Sequence, residues 1–208
     1  MKDLIVSVAD IDQEKVVEAL LPRIPRVSGT RFFTWDIVRN MLKDSGSCNL
    51  SHEFLRPYIN QFNYCLVLFD YEGSGVEHEK TRAEAEIGVE RLLSRNGWDG
   101  RNAAIVIEPE LENWMWIDSH HVQNAIAWKR PESLYQWARS TGRLAEGSHK
   151  PARPKESFEE AIKISFIPRS SSIYKNIASR VSYRHCEDLA FRKLISTLEI
   201  WFPLNGMQ

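Results

Sequence analysis

Asp70 and Glu72 are the side chains whose placement in this sequence most directly suggests chemistry. They belong to the stretch Tyr64 to Gly73, YCLVLFDYEG, in which five apolar residues (Cys65 to Phe69) stop abruptly at Asp70, Tyr71, Glu72 and Gly73. A continuous apolar run of this length suits a strand covered on both faces, as in a parallel sheet. The Asp–x–Glu–Gly then falls just past the strand's carboxyl end, where the ligand crevice of open α/β sheets forms. Two carboxylates at such a mouth can share a divalent cation. The same residues also make an ordinary acidic turn, because Asp and Gly are common turn formers, and this stretch alone leaves both readings open.

Two further apolar runs end in acids. Leu4 to Ala9 (LIVSVA) leads into Asp10 and Asp12, and Ala103 to Ile107 (AAIVI) leads into Glu108, Glu110 and Glu112. If the strands are parallel, all three acidic ends meet on one edge of the sheet. Converging like charges repel, and oxygen ligands of this kind suit Mg²⁺ or Mn²⁺. Asp70, Glu72 and Glu112 are therefore the expected metal ligands. Asp10 joins them in the expected catalytic set, where it or Glu108 completes the ligand shell or serves as base. Phosphodiester cleavage needs such a charge clamp together with a positioned water.

A basic region follows. Arg139 to Lys193 holds twelve Lys and Arg against six Asp and Glu, although the whole chain carries a net charge of only -1. Lys150, Arg153, Lys155, Arg169 and the hydroxyls of Ser170 and Ser171 are the expected contacts to a nucleic-acid backbone, since phosphate contacts position a polymer without reading its sequence. The alternative is that these cations simply solvate helix faces.

The elements that must position these groups can be read from periodicity. Strand, acidic turn and helix open the chain, with Asp12 a plausible N-cap for QEKVVEALL and Pro22 and Pro25 ending that helix. Thr30 to Val38 reads as a second or edge strand. Lys43 to Ser51 (KDSGSCNLS) reads as a loop, and His52 to Phe62 as a helix disturbed by Pro57. Ala85, Val89, Leu92 and Leu93 mark a surface helix over His78 to Leu93. From Val122 onward the pattern is helical. Thr141 to Pro154 is a connecting loop, with helices over Lys155 to Phe166, Ser170 to Val181 and Cys186 to Phe202. The tryptophans in the helical stretches are expected in the core or at an interface.

At 208 residues, 43% apolar and 26% charged, the chain suits one soluble α/β domain. Residues 1–140 are expected to form the sheet domain and 141–208 a basic helical extension packed on it. Three widely spaced cysteines (Cys48, Cys65, Cys186) make neither a disulfide framework nor a zinc motif. With no signal peptide or membrane span to be read, a cytoplasmic home and no membrane partner are expected. No GxxxxGKS phosphate loop is present.

The pattern of LVLFDYEG followed by VIEPELENWMWID resembles Toprim-like proteins of bacterial defence islands, whose ELExW element corresponds to Glu110, Leu111, Glu112 and Trp114, with Asp118 downstream. LIVSVADIDQE, FLRPYINQF, VIEPELENWMW, KPARPKE, PRSSSIY and RVSYRHCEDLAFRKLISTLEIWFP, in this order, resemble the family described as the fourth component of methylation-associated defence systems of bacteria. The resemblance covers nearly the whole chain. It implies a Toprim-like fold with a mostly parallel four-stranded sheet flanked by helices and a helical C-terminal extension. It also implies a role in restriction-like antiphage defence beside a DNA methyltransferase, protein partners from the same system, and Mg²⁺-dependent nuclease or phosphoryl-transfer chemistry on nucleic acid. Toprim proteins place Glu directly after the first strand, where this chain has Ala9 and then Asp10, and their DxD is here Asp70–Tyr71–Glu72. Loss of that Glu opens a second reading, a degenerate subunit that binds partner proteins or nucleic acid without cutting.

Overall fold

A computed structural model of the chain describes residues 1–184 and 186–204. Its centre is a sheet of four parallel strands in the order β2-β1-β3-β4. The strands are β1 (Lys2–Val8), β2 (Trp35–Arg39), β3 (Phe62–Asp70) and β4 (Asn102–Ile107). The apolar runs of β1, β3 and β4 are buried almost end to end, as strands covered on both faces must be. Because all four run the same way, the residues that follow β1, β3 and β4 gather on one edge. Asp70 is level with Ile107 in the register. The pairing continues past the sheet, with the Tyr71 amide donating to the Ile107 carbonyl at 2.8 Å and the Glu72 amide to that of Pro109 at 3.0 Å.

Helices α1 (Ile11–Leu20), α2 (Ile24–Val27), α3 (Lys43–Phe54) and α4 (Arg82–Leu93) lie in the first half. After β4 come α5 (Glu112–Met115), α6 (His120–Ala125), α7 (Leu134–Ser140), α8 (Pro154–Ile164), α9 (Ser171–Arg180) and α10 (Leu189–Trp201). One sheet face, with Leu4, Val6, Leu66 and Ile105, shares a single core with α1 and with Phe158, Ile162, Tyr174, Ile177, Leu194 and Leu198 of α8 to α10. The opposite face, with Ile5, Cys65, Val67 and Phe69, is covered by Cys48 of α3 and by Ala85, Val89 and Leu93 of α4. Trp114, Trp116 and Trp137 belong to the first core. All three cysteines are free. Among the described residues no helix is long and apolar enough to cross a membrane.

Three elements differ from the sequence reading. Lys43 to Ser51 is helical, and α3 ends at Phe54, so the expected helix over His52 to Phe62 is largely absent. The helix escaped detection because its buried side consists of Gly46, Ser47, Cys48 and Ser51, not an apolar stripe. Gly46 fits because any Cβ there would run into Leu42. The edge strand starts at Trp35, five residues later than expected. Thr30 instead bridges to Pro203, and the Thr34 hydroxyl and amide both bind Asp3. The cap of α1 is Asp10, which accepts the Gln13 amide at 2.8 Å, and not Asp12. That shift turns Asp12 into a first-turn residue, 5% exposed. The expected C-terminal helix is α10, starting at Leu189; residue 185, within the C-terminal family pattern, lies outside the described residues.

Candidate functional site

The carboxylates gathered at the strand ends fall into two stations. The first consists of Asp12, Glu112 and Glu110, each supplied with a partner by the C-terminal helices. Arg169 lies just before α9. Its Nη2 donates to Asp12 Oδ2 at 2.7 Å and stands 3.7 Å from Glu112 Oε1, while its Nε pairs with Glu159 of α8 at 3.1 Å. The Tyr174 hydroxyl donates to Glu112 Oε1 at 2.6 Å. Lys155 in the first turn of α8 donates to Glu110 Oε1 at 2.6 Å. These acids are buried, Glu112 to 3% exposure. Burial pushes the Asp12, Glu110 and Glu112 carboxyls above their ordinary range, opposed mainly by Arg169, Lys155 and Tyr174 respectively.

The second station is Asp70 at the end of β3 with Asp44 in the first turn of α3. The Asp70 backbone amide donates to Asp44 Oδ1 at 2.9 Å. The Gln13 amide Nε2 sits between the two, 3.1 Å from Asp70 Oδ1 and 3.4 Å from Asp44 Oδ1. Its Oε1 accepts the Ala9 amide at 2.8 Å, which fixes which way the amide faces. No Lys or Arg pairs with either carboxylate among the described residues. Burial, then the charges of Asp44, Glu112 and Asp10, push the Asp70 carboxyl well above its ordinary value. Burial also raises Asp44, against the Asp70 amide that binds it. Only neutral donors, the Gln13 amide and backbone N–H groups, thus face the two carboxylates in this station.

One acceptor in the first station is unused. Asp12 Oδ1 is sealed from solvent and has no hydrogen-bond partner among the described residues. A buried acceptor without a hydrogen bond is costly.

The structure brings Asp10, Asp70 and Glu112 to one edge and leaves Glu72 outside. Glu72 is exposed, its amide held by Pro109 and its side chain directed near Glu110. Glu108 is also exposed, 3.9 Å from Arg82. Of the expected phosphate contacts, Arg169 and Lys155 reach the acidic edge. Lys150 instead donates to the Asn113 carbonyl at 2.6 Å, Arg153 pairs with Glu156 on the surface, and the Ser170 hydroxyl lies 2.7 Å from that of Ser172. Among the described residues, no three His, Cys, Asp or Glu side chains are arranged to hold a metal ion, so Asp70, Glu72 and Glu112 do not form the expected trio. Asp44 and Asp70 remain as an all-oxygen pair without a native cation. Mg²⁺ keeps several waters and is commonly held by one or two carboxylates, so this pair fits the ion's chemistry.

Asp44, Gln13 and Tyr174 were missed from sequence. Asp10 and Gln13 lie three residues apart ahead of an apolar stripe, a capping pattern that marks Gln13. Asp44 carried no such signal inside a segment rich in Ser, Gly and Asn. No protein-family model, no curated protein and no solved structure matches the chain.

Proposed function

We propose that this chain is a component of a bacterial, methylation-associated, restriction-like antiphage defence system, and that its carboxylate edge is a Mg²⁺-dependent (or Mn²⁺-dependent) phosphoryl-transfer site of Toprim-like kind, acting as a nuclease on DNA or RNA. The observation that carries the chemistry is the Asp44–Asp70 pair, Asp70 buried at the carboxyl end of β3 and Asp44 half-buried beside it on α3, with no Lys or Arg partner among the described residues. Asp44 and Asp70 would hold the ion, with Asp10 beside them; when bound, it supplies Lewis-acid stabilisation of charge on a phosphoryl group. Gln13 orients both carboxylates. Arg169 keeps donors free beyond Asp12 and, 40% exposed, meets a phosphate at the rim together with Lys155. The family resemblance supports the defence setting and the protein partners.

The test is cleavage of single- and double-stranded DNA and RNA with and without Mg²⁺ or Mn²⁺. The expected result is metal-dependent cleavage that Asp70→Asn lowers about 100-fold or more. Wild type as inactive as Asp70→Asn on every substrate overturns the enzyme reading. The second reading, a non-cleaving subunit that binds nucleic acid or partner proteins, is favoured by two specific observations. Ala9 occupies the strand end where the Toprim pattern has Glu, and Arg169 and Lys155 already occupy Asp12 and Glu110.

A further inference from the structure

A second concavity lies away from the acidic edge. Helices α1 and α9 run side by side in the same direction. Asp12 meets Arg169 at their amino-terminal ends, Glu18 meets Lys175 midway at 2.8 Å, and Arg23 Nη1 and Nη2 donate to the Ala178 and Val181 carbonyls at the other end. Beyond that far end, between the Leu20 to Ser28 turn, the segment after α9 and the outer side of α10, is a cleft of about 530 Å³, within the range of small-molecule sites. It is roughly 15 Å from the carboxylate edge, the length of one ten-residue helix.

Its lining has three chemical parts. The floor is apolar, from Leu20, Ile24, Phe191 and Ile195, with the Tyr183 ring stacked on Phe191 at a centroid distance of 4.8 Å and an angle of 21°. The cations Arg180, Arg184 and Arg192 border it, and none of them has a carboxylate partner among the described residues. Two acids, Glu187 and Glu199, also line it. The Tyr183 hydroxyl is shut off from solvent and has no hydrogen-bond partner among the described residues. Such a group normally finds a partner when buried.

From this arrangement we infer that the cleft is a binding site for a nucleoside phosphate. Unpaired guanidiniums favour a phosphate, which they bind through paired donors. The apolar floor and stacked rings favour a flat heterocycle, and the two carboxylates favour sugar hydroxyl or exocyclic amine donors. A nucleoside phosphate carries all three groups in one molecule. A free inorganic anion would leave the floor wet, and a neutral nucleoside would leave the arginines unmatched. The ligand would tie α1 and α9 together at one end while the carboxylates they carry work at the other, so this site is distinct from the acidic edge in place and chemistry.

The experiment is calorimetric titration of the full chain with adenosine monophosphate, guanosine monophosphate, adenosine and inorganic phosphate, in the absence of divalent metal. The expected result is saturable binding of at least one monophosphate, at least about 10-fold tighter than adenosine or phosphate alone, a gap of about 1.4 kcal/mol. Arg180→Ala combined with Arg192→Ala, both on the helical surface, lowers that affinity about 10-fold or more. Asp70→Asn leaves it unchanged. No saturable binding of either monophosphate, equal binding of phosphate alone, or loss in Asp70→Asn with no change in the double arginine variant would each overturn the inference. The last outcome places the ligand at the carboxylate edge instead.

Discussion

The two carboxylate stations at the end of the sheet solve the same electrostatic problem in opposite ways. Asp12, Glu112 and Glu110 are answered from within the chain, by Arg169, Tyr174 and Lys155 reaching over from the C-terminal helices. Asp70, buried, and Asp44, half-buried, receive only the Gln13 amide and backbone N–H groups. Burying a carboxylate without a counter-charge is expensive, and the group responds by holding a proton. The difference separates a structural use of acids, which staples the C-terminal helices to the sheet, from a site that is left to be filled from outside.

The largest effect that would sharpen this contrast is expected on the stapled side. Arg169→Ala strips the counter-charge from Asp12 and Glu112. The expected cost in denaturant unfolding at pH 7 is about 2–4 kcal/mol, below the full value for a broken buried pair because the guanidinium is partly exposed. A loss under about 0.5 kcal/mol would mean that the first station does not depend on its cation. Lys155→Ala should follow, at about 1–2 kcal/mol, because buried Glu110 loses its donor while the ammonium end is partly solvated.

On the other side the sign reverses. The Asp70 carboxyl is raised above its ordinary value of 3.8, so the folded state holds a proton more tightly than the unfolded chain does. The stability linked to this group is present at acid pH and is lost as pH rises from about 4 through the raised folded value. Asp70→Asn removes that dependence. It is expected to be more stable than wild type by about 1–2 kcal/mol at pH 8 without divalent metal, with the gap closing towards pH 4. Comparing the two proteins cancels the opposite contributions of acids such as Asp3, whose carboxyl is held down to about 2 chiefly by Arg31. A constant difference across this range would break the contrast. The smallest effect belongs to Arg153→Ala. At 77% exposure and paired only with surface Glu156, it should change stability by less than about 0.5 kcal/mol. Any larger effect should appear only in nucleic-acid affinity, as a reduced salt dependence.

Much of the scaffold was legible because its signals are local. The unbroken apolar runs before Asp10, Asp70 and Glu108 suit strands buried on both faces, and parallel pairing then brings their carboxyl ends together. The amphipathic spacing of α8, α9 and α10 was equally plain. The hidden parts are those whose logic is tertiary. Helix α3 buries Gly and Ser against the sheet, so it has no apolar stripe, and Asp44 went unseen with it. Arg169 was legible as a cation but not as the partner of Asp12, which lies 157 positions away. Glu72 looked inseparable from Asp70 in sequence, yet β3 ends at Asp70 and Glu72 sits exposed in the turn that follows, its amide held by the Pro109 carbonyl.

Titration calorimetry of Mg²⁺ into wild type and Asp70→Asn at pH 8, repeated in two buffers of different ionisation enthalpy, addresses the Asp44–Asp70 pair most directly. Wild type should bind the ion and release protons into the buffer as it does so, and Asp70→Asn should bind far more weakly and release none. Equal binding by both proteins, or binding by wild type with no proton release, would show that the ion sits elsewhere and that these two acids do not form its site.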